Sequence, residues 1–246
     1  MKKLSYTVLP IWISENILFQ IIFLIRKLFL TKLSSKYYSQ FGEDIALARL
    51  FKKQKSGFFV DVGCYHPIKF NNTYQLYKKS WRGINIDIDS IKILGFKFVR
   101  PRDVNVCCAV SNASKEIIFY TNGVYSLTTS ISPEFVNNRG GYSERKVQSR
   151  TLTEILDSSK FVGNRIDFLS IDVEGADLDV LQSLDFKKYN PKTIAVESHL
   201  MTIDDVCNDA IYIYLVKLGY KMIGWYGLTL IFSSPDFIES KLKNYI

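Results

Sequence analysis

The sequence predicts an α/β fold built on a doubly wound, mostly parallel sheet that ends in an antiparallel hairpin. Two stretches carry this prediction: residues 166–175 and 58–63 each begin as an apolar run and end in acid and glycine. Consecutive apolar residues are typical of parallel strands that helices cover on both faces. Acids at the ends of such strands lie where open α/β sheets bind their ligands, so we expect a site between the two stretches.

The composition is that of one globular domain. At 246 residues the chain is long enough for a substantial α/β core and short for two full domains. A hydrophobic content of 47% with 23% charged residues excludes wholesale disorder. The formal net charge of +8 suits an anionic partner. Because the lysines are scattered and no platform for base stacking is evident, we expect no nucleic acid.

The four cysteines form neither a zinc motif nor a disulfide framework. No C-x-x-C pair occurs, and Cys107 and Cys108 are adjacent on an apparent strand, which predicts side chains on opposite faces. Reduced thiols in a cytoplasmic protein are the better interpretation.

Residues 1–33 differ from the rest of the chain and predict a separate apolar helix. Glu15 and Arg26 leave ten uncharged positions between them, whereas a spanning helix needs about 20. No small-residue cleavage pattern follows, which argues against a signal peptide. We favour a helix that lies on a membrane surface or docks on a partner. Packing on the protein's own core and a single-pass anchor are the alternatives, and residues 34–246 form the remaining domain.

The elements of this domain follow from apolar runs and helix signals. Glu43 and Asp44 open a helix through Phe51, because acids are favoured in a first turn. Residues 71–73 are candidate caps for the next helix. The predicted elements are strands 57–63, 84–89, 104–110, 166–172 and 192–197, helices 74–79, 151–158, 177–184 and 204–218, and a terminal hairpin of strands 219–225 and 228–232.

The pattern loosens between the third and fourth central strands. Residues 116–120 and 146–150 predict two short paired strands, and the polar stretch 128–142 predicts a mobile loop. Thr151 and Glu154 have the spacing of a capping box. An insertion at this point lies near the carboxyl edge of the sheet, where we expect it to contribute to an acceptor pocket.

The strand-end acids predict a nucleoside site. Gly63 allows the backbone to approach a ligand closely. Asp87 lies 26 positions after Asp61, at the end of the next strand, where an acid typically accepts hydrogen bonds from a ribose diol. Asp103 or the backbone around Cys107 is the candidate contact for the adenine.

The phosphate-binding part of a dinucleotide signature is missing. Residues 65–68 follow Gly63 without the G-x-G-x-x-G pattern, and no G-x-x-x-x-G-K-[ST] occurs. A nucleoside without a pyrophosphate therefore fits better than NAD or ATP. S-adenosylmethionine is the candidate, because carboxylates complement both its ribose and its cationic sulfonium.

Five motifs in order resemble the FkbM family of S-adenosylmethionine-dependent methyltransferases, over roughly residues 36 to 233. They are Tyr38–Asp44, Phe59–Gly63, Trp81–Asp87, Arg100–Asp103 and Ile166–Gly175. The resemblance implies a class I, Rossmann-like methyltransferase fold and O-methylation, commonly of a sugar or polyketide hydroxyl. It also implies that Asp61 and Gly63 line the cofactor, that Asp87 holds the ribose and that the Ser39–Gln40 turn folds over the pocket.

This sequence departs from the family at two of those motifs. The second strand ends in Asp87 where the family more often has a glutamate followed by proline, so the ribose contact falls to a shorter side chain. Cys64 stands where alanine is usual, a change that we expect to be harmless.

Three residues are candidates for catalysis. Asp172 and Glu174 end the fourth strand and can orient or deprotonate an acceptor hydroxyl, although acids also cap a following helix. His199 follows the fifth strand as an alternative base, or as a hydrogen-bonded loop residue. Glu197 with Asp172 is a conceivable divalent-ion pair. No ligand spacing supports a metal, so none is predicted. We expect a small-molecule or glycan acceptor; methylation of a protein and a non-catalytic scaffold that binds S-adenosylmethionine are the alternatives.

Overall fold

The computed structural model describes residues 16–29, 36–121 and 143–243. The chain divides into two compact units, residues 1–36 and 37–246. The predictions for residues 1–15, 30–33 and 128–142 lie outside the described residues.

In the first unit, helix α1 (Ile17–Phe29) consists mostly of apolar residues. Its start is capped by Asn16, whose side-chain oxygen accepts hydrogen bonds from the N–H groups of Leu18 and Phe19. Among the described residues, no helix has the length and apolar character that crossing a membrane requires. The large apolar side chains of this helix that are exposed are Ile17, Leu18, Ile21, Ile22, Leu24 and Ile25.

In the second unit, seven described strands form one mostly parallel sheet. They are β1 (Phe58–Val62), β2 (Arg82–Asp87), β3 (Val104–Cys107), β7 (Phe168–Ile171), β8 (Thr193–Glu197), β9 (Lys221–Tyr226) and β10 (Thr229–Ser233). Their order in the sheet is β3-β2-β1-β7-β8-β10-β9. The first five of these pair in parallel, and β10 runs antiparallel to both of its neighbours. The predicted α/β sheet with a final antiparallel hairpin is therefore confirmed.

Helices cover both faces of this sheet, as its apolar strands require. The alternating side chains of β1 enter two cores: Val60 packs in one with Ile84 and Leu169, and Phe59 packs in the other with Trp81 and Phe168. The helices are α2 (Glu43–Leu50), α3 (Tyr74–Lys78), α4 (Ser90–Val99), α5 (Leu152–Asp157), α6 (Asp177–Gln182), α7 (Phe186–Tyr189), α8 (Ile203–Asn208), α9 (Ala210–Lys217) and α10 (Pro235–Leu242).

A small second sheet corrects the predicted third strand. The apolar run 104–110 breaks at Cys108, so that β3 stays in the main sheet and β4 (Ala109–Val110) pairs in parallel with β6 (Ser143–Arg150). Strand β5 (Glu116–Thr121) pairs antiparallel with β6, which confirms the predicted strand pair. Cys107 is exposed and Cys108 is buried, as their alternation predicts.

Two helix predictions differ from the structure. The stretch 204–218 is two helices, because Asp209 stands in extended backbone and caps α9 through the N–H of Ile211. Helix α4 was not predicted, since no strong periodicity marks it; Asp89 caps its start. The capping box of Thr151 and Glu154 is present at the start of α5 and confirms the prediction.

Candidate active site

A cleft of about 600 Å³ opens at the carboxyl ends of the parallel strands. It lies where the strand order reverses, between β1 and β7, which is where open α/β sheets bind ligands. Its lining contains most of the predicted site residues, namely Gln40, Gly63, Asp87, Asp172, Glu174 and His199, together with Glu197.

Gly63 brings the ends of β1 and β7 together. Its φ of +75° is one that side-chain-bearing residues rarely adopt. Its N–H donates to the carbonyl oxygen of Ile86 at 2.9 Å. A Cβ built at this position would lie 1.7 Å from the carbonyl oxygen of Asp172. Only glycine therefore allows this approach of the two backbones at the floor of the cleft.

Asp87 ends β2 as a buried carboxylate at the cleft. Its Oδ2 accepts the N–H of Tyr65 at 3.0 Å, and its Oδ1 accepts the N–H of Asp89 at 2.9 Å. Burial raises the pKa of Asp87, and the Lys92 ammonium, 3.9 Å away, opposes that rise. Each oxygen keeps lone-pair capacity for another donor, so the side chain can hold a ligand hydroxyl.

Asp61 lies on β1 but is not among the described residues that line the cleft. Its Oδ2 accepts hydrogen bonds from Asn71 Nδ2 at 3.0 Å and Thr73 Oγ1 at 2.8 Å. Burial raises its pKa, and the nearby Arg100 guanidinium opposes the rise. Asn71 Nδ2 also donates to the carbonyl of Cys64 at 3.2 Å. Both side-chain bonds use Oδ2 and hold the turn after Gly63, so direct contact between Asp61 and a cofactor stays a prediction.

Arg100 is the fully buried centre of the same network. Its Nε donates to the carbonyl of Pro67 at 2.8 Å, its Nη1 to Thr73 Oγ1 at 2.8 Å, and its Nη2 to Asn71 Oδ1 at 2.7 Å. Its Nη1 also donates to Asn85 Oδ1 on β2 at 3.3 Å, so the arginine ties the segment before α3 to the sheet. The motif Arg100–Asp103 is visible in the sequence, but nothing local signals that this arginine is buried.

Asp103 also lies away from the described cleft lining. Its Oδ1 accepts the N–H of Gly83 at 3.1 Å, and its Oδ2 accepts Asn85 Nδ2 at 3.3 Å. These bonds hold the start of β2 beside β3, so contact between Asp103 and the adenine is not supported. Cys108, Ala109 and Val110 line the cleft instead. That placement agrees with the alternative, a backbone contact near Cys107.

Gln40 reaches the cleft from a turn that buried acids hold in place. The Asp44 carboxylate accepts the N–H of Tyr38 and the hydroxyl of Ser39, both at 2.8 Å. Glu43 Oε1 accepts Thr229 Oγ1 at 3.1 Å and so connects this turn with β10. The two acids begin α2 as predicted, and their burial shows that they also anchor the turn.

Four side chains from β7 and β8 converge at the other end of the cleft. Asp172 follows β7 and hydrogen-bonds with Glu197, which ends β8. His199 Nε2 lies 3.4 Å from Glu197 Oε1. Glu174 completes the group, and its φ of +55° turns the chain sharply after the strand. The predicted catalytic residues Asp172, Glu174 and His199 are thus brought together.

The electrostatics of this group are set by crowded acids. Desolvation raises the pKa of Asp172, although the side chain is open to the cleft, and the Asp177 and Glu174 carboxylates raise it further. Desolvation and the Asp172 carboxylate likewise raise the pKa of Glu197. Two hydrogen-bonded carboxyls of this kind share a proton and titrate as a pair. The site therefore accepts protons more readily than ordinary carboxylates do.

Two cleft features were missed by the sequence analysis. Lys92 lies on helix α4, which was not predicted. Its ammonium group lies over the Tyr65 ring, 5.1 Å from the ring centre, and also close to the Asp87 carboxylate. Tyr65 itself stacks on Phe70, with ring centres 6.4 Å apart. No local motif signals these contacts, because they join separate elements.

The strand order, with the antiparallel strand β10 beside the edge strand β9, and the cleft at the strand ends define a Rossmann-like α/β domain. Residues 61–222 match the family described as Methyltransferase FkbM domain. The chain therefore belongs to the FkbM methyltransferase family and is a methyltransferase enzyme. A search of curated proteins found no match to the chain.

Proposed function

We propose that the chain is an S-adenosylmethionine-dependent O-methyltransferase acting on a hydroxyl of a sugar, a glycan or a lipid-linked saccharide. The observation that carries this proposal is one cleft with the Asp87 carboxylate at the end of β2 and an acid group at the ends of β7 and β8. S-adenosylmethionine supplies an electrophilic methyl group when it is bound.

The residues at the end of the cleft formed by β1 and β2 fit a nucleoside cofactor. The cleft volume of about 600 Å³ falls in the range of small-molecule sites. We assign Asp87 to the ribose hydroxyls, and Gly63 and Gln40 to the cofactor wall. Asp61 acts through Asn71 as a positioning residue. The turn after Gly63 carries no glycine-rich phosphate loop, which favours a ligand without a pyrophosphate.

The residues at the end of the cleft formed by β7 and β8 fit a polyhydroxylated acceptor. An ionised carboxylate accepts hydrogen bonds and donates none, so these side chains match the many hydroxyl donors of a sugar. An alcohol has a high pKa, and we assign its deprotonation or orientation to Asp172, Glu174 or His199. Alignment of the acceptor oxygen with the methyl group supplies much of the remaining rate.

Replacing Asp87 with alanine is expected to weaken binding of the cofactor by about 10- to 100-fold. A hydrogen bond to a charged group is worth about 1.5–3 kcal/mol, and a tenfold change in affinity corresponds to about 1.4 kcal/mol. Isothermal titration calorimetry with S-adenosylmethionine and S-adenosylhomocysteine measures the effect.

The matched control for this titration is Asp204→Ala, which removes an exposed carboxylate on α8. It is expected to bind like the wild type. Wild-type protein that binds neither compound would refute the cofactor proposal. An Asp87→Ala protein with unchanged affinity would refute only the ribose assignment.

We also propose that α1 holds the enzyme on an anionic membrane surface, near a lipid-linked acceptor. The helix exposes a row of isoleucine and leucine side chains. Its C-terminal half carries Arg26, whose positive charge matches anionic lipid headgroups.

Replacing Ile22 with aspartate in the full chain is expected to reduce partitioning onto anionic vesicles about tenfold or more. Burial of an isoleucine contributes about 1.5–3 kcal/mol, and the substitution removes it. Co-sedimentation with phosphatidylserine–phosphatidylcholine vesicles measures the effect. Ile213→Asp is the control, since Ile22 is 57% exposed and Ile213, on α9, is 54% exposed. Equal pelleting of wild type and both variants would contradict the membrane role.

A further inference from the structure

We propose that Glu174, Glu197 and His199 form a divalent-cation site within the cleft. One ligand atom from each residue lies within 4.8 Å of the others. Cation binding is inferred from these residues alone, whereas its part in catalysis rests on the proposed function.

The geometry of the three ligands needs only a small adjustment to close on an ion. Ligand atoms at about 2.0–2.2 Å from a cation are at most about 4.4 Å apart. His199 Nε2 is already 3.4 Å from Glu197 Oε1. The His199 side chain is 63% exposed and is therefore free to rotate toward an ion. Glu197 is held at the end of β8, which makes it the fixed ligand of the set.

The ligand chemistry distinguishes this group from a patch of acids. An imidazole nitrogen stands with two carboxylates, a combination that binds transition-metal cations. Magnesium and calcium prefer oxygen ligands alone. The mixed set therefore favours Mn²⁺ or Zn²⁺, with remaining coordination positions facing the cleft.

The charge distribution of the cleft favours a cation at the same place. Among the described residues that line the cleft, Lys92 is the only lysine, and there is no arginine. Lys92 lies beside Asp87, at the end of the cleft away from β7 and β8. The end formed by β7 and β8 holds Asp172, Glu174 and Glu197. A divalent ion would offset the repulsion between these carboxylates.

The backbone after β7 positions the ligand from that strand. Asp177 accepts the N–H groups of Val173 and Gly175, both at 3.2 Å, and so fixes the turn that carries Glu174. Glu174 and Glu197 are 23 positions apart in the chain and come together only through the pairing of β7 with β8. This explains why no metal motif is visible in the sequence.

The cation would act on the acceptor hydroxyl in the proposed reaction. As a Lewis acid it orients a coordinated oxygen and favours loss of its proton. Asp172 is not among the three ligands, and its hydrogen bond with Glu197 keeps it beside them.

Titration of chelator-treated, full-length protein with Mn²⁺, followed by the electron paramagnetic resonance signal of the free ion, tests the site. The wild type is expected to bind one ion per chain, and excess Zn²⁺ is expected to displace it. Glu197→Gln and His199→Ala each remove a direct ligand, so each is expected to weaken binding by at least the roughly 10- to 100-fold that loss of an outer-shell partner costs. His199→Ala changes an exposed side chain, so it keeps the test valid if Glu197→Gln does not fold.

The matched controls are His66→Ala, at the other histidine of the chain, and Glu116→Gln, at an exposed glutamate of β5. Both are expected to bind Mn²⁺ like the wild type. Absence of stoichiometric binding, or unchanged binding in His199→Ala, would overturn the cation site. A parallel titration with S-adenosylhomocysteine separates the two proposals, because its failure would overturn the proposed function and leave the Mn²⁺ result standing.

Discussion

Replacing Arg100 with methionine is expected to lower the free energy of unfolding by about 3–5 kcal/mol. The guanidinium is fully buried and donates to Pro67, Thr73 and Asn71. Its removal takes a donor from each of these acceptors and takes the compensating charge from Asp61. Breaking a buried charge network by removing one partner typically costs this amount.

Urea unfolding of the variant, followed by circular dichroism, measures this loss. Arg102→Met is the matched control, because Arg102 is exposed two residues further along. It is expected to change the free energy of unfolding by less than about 0.5 kcal/mol, as surface substitutions usually do. Equal losses in the two variants would show that the buried network does not carry the stability attributed to it.

Replacing Gly63 with alanine is expected to lower the free energy of unfolding by about 3 kcal/mol or more and to abolish cofactor binding. The added Cβ would lie 1.7 Å from the carbonyl oxygen of Asp172, and the backbone would keep a φ of +75°. Backbone strain of this kind costs about 1–3 kcal/mol, and overpacking adds about 1–3 kcal/mol. Relief of the overlap requires β1 and β7 to separate at the cleft floor.

Gly163→Ala separates the two costs. Gly163 has nearly the same φ, +74°, but a Cβ added there would meet no atom within 4 Å. The control is therefore expected to show the backbone cost alone, with cofactor binding intact. Thermal unfolding and calorimetric titration of both variants provide the comparison. A Gly63→Ala protein as stable as Gly163→Ala would contradict the close backbone approach at the cleft.

The sequence was sufficient for the succession of central strands along the chain, because each of them is a short, mostly apolar run. It was also sufficient to bring Asp87, Asp172 and His199 to one edge, since parallel strands end on the same side. It did not show that Asp61 also holds the following turn, because an acid at a strand end does not reveal which neighbours it bonds. Asn71 and Thr73 donate to its Oδ2 from a loop ten and twelve positions later.

Other parts of the site depended on contacts between distant elements. The burial of Arg100 follows from how α4 and the loop before α3 pack together, and neither was evident from local periodicity. The run 104–110 was predicted as one strand because apolar character alone cannot show that its end changes sheets. The proposed metal ligands Glu174 and Glu197 are 23 positions apart, so the sequence could not predict that they meet without the pairing of β7 with β8.

The hydrogen bond between Glu43 and Thr229 has a consequence for how the catalytic unit is delimited. The family match covers residues 61–222, yet Gln40 lines the cleft and Glu43 joins its turn to β10. Both partners of that bond lie outside the matched range, one before it and one after it. A fragment cut to the match would lose a cleft wall and the strand beside β8. Expression boundaries for the catalytic unit are therefore better set by residues 37–246, the second compact unit.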